Sequence, residues 1–134
     1  MIGVIDEEMY ANNYAHFQKS LMVLCQSAES QCRSMDYFNV AWEIKDDVTS
    51  NGCAVLNTVN QQLSELQKDR IKQLLKNIAD LPDTVVNVLN CMDAHLRAMS
   101  DPHWVPIRGQ AKHLVSLLRD ETHRVHALLN SKHS

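Results

Sequence analysis

Glycine and proline are scarce in this chain of 134 residues, three of each, and aromatic residues make up only 5%. So few turn formers exclude an all-β chain, which needs many of them, and leave little from which to build a backbone anion cradle. The longest apolar run, 21–25, is five residues, against the roughly 20 that a bilayer span requires, so no membrane span is expected. Catalytic signatures are missing as well: there is no glycine-rich phosphate loop, no G-x-S-x-G elbow, no H-E-x-x-H, no C-x-x-C and no Glu-x-x-His. Residues Met1 to Glu8 lack the basic start and apolar core of a secretory signal, which makes cytoplasmic residence the expectation. Of the four cysteines, Cys25 and Cys32 stand seven apart on one predicted helix, about 10 Å along its axis and too far to bridge. Free thiols suit that compartment.

What the chain does have is helical periodicity. At this length one domain suffices, and folding buries roughly two-thirds of the unfolded surface, enough for a core without metal or disulfide. The stretch 53–81, between Gly52 and Pro82, holds no Gly or Pro. Leu56, Val59, Leu63 and Leu66 share one face, and Ile71, Leu74, Ile78 and Leu81 repeat the pattern one residue out of phase. We read 53–81 as one long central helix of about 43 Å. Before it, Asp6 is a candidate N-cap for a first helix whose stripe is Tyr10, Tyr14, Phe17, Leu21, Leu24, Ala28 and Cys32. Ser34 to Asp36 is its stop. Asp36 then caps a short helix in which Tyr37, Phe38, Val40, Ala41, Trp42 and Ile44 leave almost no polar side, ending near Val48 before the turn formers Thr49, Ser50, Asn51 and Gly52. Val85, Val88, Leu89, Met92, Leu96 and Met99 mark a fourth helix with Pro82 in its first turn, 99–109 reads as a loop around Trp104, and 107–130 is the last helix. The expected fold is an all-α bundle of four long helices plus one short aromatic-rich helix, spanning residues 1–134 as a single domain.

Charge is divided along the chain. Residues 1–66 hold nine acids and three bases, net −6, whereas 67–134 hold seven acids and ten bases, net +3. The basic side chains of the second half form only a modest face on a net acidic chain, so nucleic acid is not an expected partner.

Four constellations could carry function. His123 and His126 have the i, i+3 spacing that lets helical side chains share a metal, with Asp120 three residues earlier, but Asp120 points away from the stripe and Lys112 and Arg119 flank His126. Cys91 and His95 are four apart on one flank of the fourth helix and could supply two zinc ligands, with Cys25, Cys32 or Cys53 completing the set. The carboxylates Asp6, Glu7 and Glu8 suit a helix start, whereas Glu43, Asp46 and Asp47 oppose a helix end and suit a partner-facing patch. The strongest signal is aromatic: Tyr37, Phe38 and Trp42 on the short helix and Trp104 in the loop, residue types enriched at the energetic centres of protein interfaces. The expected function is therefore a non-enzymatic interaction module that binds another protein or a second copy of itself, without cofactor. The alternative is a bundle holding a metal or small ligand through Cys91, His95, His123 or His126.

Overall fold

The computed structural model of the protein describes residues 2–58 and 62–131. Among these the chain is all-helical: α1 (Ile2–Leu24), α2 (Ala28–Ser34), α3 (Val40–Asn57), α4 (Glu65–Ala79), a 3-10 turn (Asp83–Val85), α5 (Met92–Met99), α6 (Trp104–Leu117) and α7 (Arg119–Ser131). The hub is α1, which packs against α3, α6 and α7, while α4 closes on α6 and α3, and α2 on α5. Its predicted stripe is buried from Tyr10 through Tyr14, Phe17 and Leu21 to Leu24. Asp6 is not the cap, because the helix is already formed at Ile2. The helix stops at Leu24, short of Cys32, because the buried Gln31 side chain donates to the Val23 and Leu24 carbonyls (3.2 and 3.0 Å) and Ser27 caps α2 instead.

The long central helix does not form. Serine 64 opens α4 with a reciprocal capping box, its hydroxyl accepting from the Gln67 N–H while the Gln67 side chain accepts from the Ser64 N–H. Two orphan donors are satisfied this way, which favours a new helix over continuation through Leu63. Val59 lies outside the described residues; Leu66 is half exposed, and Ile71, Leu74, Ile78 and Leu81 keep their buried stripe. Upstream, α3 runs straight through the predicted turn at 49–52. Gly52 is a packing residue rather than a stop: a Cβ there would lie 3.0 Å from Leu75 Cδ2 and 3.2 Å from Phe17 Cε1. The missing side chain is what lets α3 approach α1 and α4 closely.

The predicted fourth helix survives only as α5. Thr84, Val85, Val86 and Val88 are β-branched and Asn87 and Asn90 compete for backbone groups, so 86–91 is irregular and Asn87 donates to the Asp83 carboxylate. Pro106 falls in the first turn of α6, where its missing N–H costs little, and the expected loop at Trp104 is helix instead. Trp104 is wholly buried, its indole N–H donating to the Val85 carbonyl at 3.2 Å. The expected last helix bends into α6 and α7 at Leu118. There the Leu117 carbonyl accepts from the Gln67 side chain (3.2 Å) and the Leu118 carbonyl from the Tyr14 hydroxyl (3.3 Å), as well as from the Thr122 N–H.

One polar cluster lies inside the interface of α1 with α7. The Tyr10 hydroxyl donates to Glu121 Oε2 at 2.5 Å, Arg124 grips both Glu121 oxygens (2.7 and 2.9 Å) and stacks over the Tyr10 ring, and Tyr14 shares a 2.7 Å hydrogen bond with Thr122. Burial pushes the Glu121 carboxyl up, but hydrogen bonds from Arg124 and Tyr10 and the guanidinium charge outweigh it, leaving the carboxyl below its usual range. Burial likewise raises Tyr14 to about 12 and Tyr10 further. The signs follow by linkage. Glu121 contributes stability that is complete above the ordinary glutamate range and lost as pH falls through its lowered native value. The tyrosines contribute stability that is complete below about pH 10 and lost as pH rises beyond it.

Thermal melts across pH should therefore show both limbs, with Tyr10→Phe flattening the alkaline one and Glu121→Gln the acid one. Glu121→Gln should cost about 1–3 kcal/mol at neutral pH; a melting curve unchanged by either substitution would remove the cluster from the stability account. Gly52→Val should cost about 1–3 kcal/mol through overpacking against Leu75 and Phe17, read in urea unfolding.

Candidate functional site

Between α2 and α3 the chain turns a corner at 35–39 whose backbone is unusual. Asp36, Tyr37 and Asn39 have φ of 52°, 55° and 45°, in the left-handed region that favours glycine. The first two belong to a Schellman end: the Asp36 N–H donates to the Arg33 carbonyl and the Tyr37 N–H to the Cys32 carbonyl, with Asp36 where glycine is usual. This corner leaves Tyr37 half-buried against the core but turns Phe38 outward, 58% exposed. One turn into α3, Trp42 is 45% exposed, while Val40, Ala41 and Ile44 fill the core.

The irregular segment 86–91 lies opposite. Asn90 holds the two pieces together, its side-chain oxygen accepting the Asn39 N–H at 2.9 Å and pairing with His95 Nε2 at 2.8 Å. Leu89 is thereby displayed at 81% exposure, and Met92, at the start of α5, at 57%. Trp42 and Leu89 line a shallow cleft of ≈ 500 Å³ with Asn39, Val86, Asn87 and Val88. On its other side Trp42 borders a smaller hollow with Lys45, Asp46 and Thr49. The Thr49 hydroxyl is buried there without a partner.

Of the aromatic residues singled out in the sequence, the structure brings Phe38 and Trp42 to this surface, leaves Tyr37 beneath it and places Trp104 in the core, where it cannot meet a partner. The metal candidates do not assemble. His95 is buried, its Nε2 engaged by Asn90 and its Nδ1 without a partner; burial lowers its pKa. Cys91 is exposed at the start of α5, and His123 and His126 are exposed on α7. Among the described residues no three His, Cys, Asp or Glu side chains form a group that could hold a metal ion. All four cysteines are free, and burial raises the Cys25 and Cys32 thiols. No helix among the described residues is long and apolar enough to cross a membrane.

A second, more polar cleft of ≈ 390 Å³ lies between α1 and α3, floored by Val23, Met35 and Ile44 and edged by His16, Lys19, Asp47 and Asn51. Burial, and then the neighbouring Asp46, raise the Asp47 carboxyl. Lys19 and Asp47 line this cleft without pairing with each other. Comparison with known proteins adds no relative: no family model matches the chain, and neither the curated proteins nor the solved structures give a match.

Leu89 and Met92 were missed as surface residues because their spacing fits a helical stripe, and only the non-helical path of 86–91 exposes them. The asparagine clamp has no sequence signal beyond an Asn that follows a β-branched run. Asn90→Ala removes the acceptor shared by the Asn39 amide and His95. It should lower stability by about 1–3 kcal/mol and speed hydrogen exchange at the Asn39 amide; unchanged exchange would mean the clamp does not hold the corner.

Proposed function

We propose that the protein is a non-enzymatic interaction module, an adaptor, inhibitor, immunity-type or chaperone-like protein, that docks another protein or a second copy of itself. The observation that carries this reading is the set of large apolar side chains, Phe38, Trp42, Leu89 and Met92, held outward by a hydrogen-bonded corner rather than packed inward. Scattered exposed apolar residues need no explanation, but a Trp and a Leu lining one cleft fit a docking site. The strained backbone supports the same reading. Three left-handed non-glycine residues in five positions, each costing roughly 1–2 kcal/mol, are retained where they direct Phe38 and support Trp42. Free thiols at all four cysteines accord with a cytoplasmic setting.

The alternative, small-ligand binding within the bundle, is favoured by the α1/α3 cleft with its unpaired Lys19 and Asp47, rather than by Cys91, His95, His123 or His126.

Native mass spectrometry separates the two. The docking reading expects one or two chains with nothing added, and complexes or dimers weakened at least about tenfold by Trp42→Ala or Leu89→Ala while unfolding free energy changes by about 1 kcal/mol or less. Added small-molecule mass that disappears in Asp47→Asn would replace it with the ligand reading.

A further inference from the structure

A single acceptor, the Asn90 side-chain oxygen, dictates where a buried histidine carries its hydrogen. The Asn39 backbone N–H, 2.9 Å away, can only donate, so it fixes the amide with Oδ1 toward both partners. His95 Nε2 lies 2.8 Å from the same oxygen and must therefore be the protonated nitrogen. In the neutral ring this leaves Nδ1 bare, and Nδ1 is buried without a partner. A second proton would place a charge and an N–H donor in a residue only 1% exposed, with no acceptor to meet them.

No neighbouring charge offsets that cost. The elements packed on α5 are α2, with Glu29, Arg33 and the Cys32 thiol; α3, with Glu43, Lys45, Asp46, Asp47 and Cys53; and the 3-10 turn, with Asp83. The corner adds Asp36 and Tyr37, α5 itself Asp93 and Arg97 after Cys91, and Arg108 of α6 reaches the Met99 carbonyl. None of them acts on the His95 ring, whose pKa is lowered by burial alone. Opening the corner disturbs little else. Helix α5 is eight residues long, 86–91 is already irregular, and the left-handed backbone at Asn39 is relieved when the clamp lets go.

We infer that His95 is a proton-operated latch on the display surface: neutral, it closes the Asn90 clamp; protonated, it leaves its buried seat and frees 86–92, with Leu89 and Met92, from the corner at Asn39. That the freed surface is the one that docks rests on the reading above, to which the latch adds regulation. The sign follows by linkage. In the opened corner His95 titrates in its ordinary range, about 6.5, and in the closed corner below it. The closed corner's stability is thus complete above that range and is lost as pH falls from it toward the lowered native value.

The test is native-state hydrogen exchange of the full chain by NMR at about pH 7.5 and about pH 5, corrected for the intrinsic pH dependence of exchange. Protection of the Asn39 and His95 amides is expected to fall at least about threefold in acid, with the Leu21 amide of α1 remaining better protected than both. His95→Gln keeps a side-chain donor for Asn90 but cannot titrate, and should remove the change. The imidazole of the native chain, read in a long-range proton–nitrogen spectrum at the higher pH, should be the Nε2–H tautomer, an outcome independent of whether the variant folds. Protection unchanged in acid, the same fall in His95→Gln, or the Nδ1–H tautomer would overturn the latch. Equal protection at Asn39 and Leu21 at both pH values would also overturn it, because His95 would then act only on global stability. All these readouts use the free chain. Failure of the docking reading would show instead as complexes untouched by Trp42→Ala, and would overturn the regulatory role while leaving the acid-opened corner.

Discussion

The structure depends on the burial of one aromatic face of α1. Tyr10, Tyr14 and Phe17, with Leu21 and Leu24 beyond them, are covered from three sides by α3, α6 and α7. Burying two tyrosines obliges the cover to bring hydrogen-bond partners for their hydroxyls. Glu121, Thr122 and the Leu118 carbonyl do this, and Arg124 in turn neutralises the carboxylate that Tyr10 requires. The bend between α6 and α7 belongs to the same requirement, since the carbonyls at the bend are the ones that Gln67 and Tyr14 take.

The parts of the fold decided by local spacing were legible in the residues. The α1 stripe from Tyr10 to Leu24, the buried run Ile71, Leu74, Ile78 and Leu81, and the all-helical class are all set by side chains three and four apart. The parts decided by competition between neighbours far apart in sequence were not. Gly52 looks like a helix stop until Leu75 and Phe17 are placed against it. Leu117 and Leu118 look like mid-helix residues until side chains from α4 and α1 claim their carbonyls. The break before α4 is readable from spacing, because Ser64 and Gln67 form a capping box, although the absence of Gly and Pro points to a continuous helix.

The same division applies to the surface. Trp42 and Phe38 could be singled out because their segment has no polar side, and the outward rotation that exposes them follows from the left-handed corner. The two prolines near Trp104 suggest a loop, whereas Trp104 itself begins a helix that carries Pro106 in its first turn. Leu89 and Met92 became surface residues only because 86–91 fails to be helical. A short α5 and an asparagine clamp thus convert what reads as a core stripe into a display of apolar side chains.

The central claim is that the molecule keeps one tryptophan sealed in its core and holds the other out on an ordered surface. Acrylamide quenching of the intrinsic fluorescence, in dilute protein, compares the native chain with Trp42→Phe. The account predicts that Trp42→Phe removes the readily quenched, red-shifted part of the emission and leaves Trp104 alone, blue-shifted and shielded. Equal quenching of the native and Trp42→Phe proteins would contradict it, because Trp42 would then be no more accessible than the residue buried beside Val85.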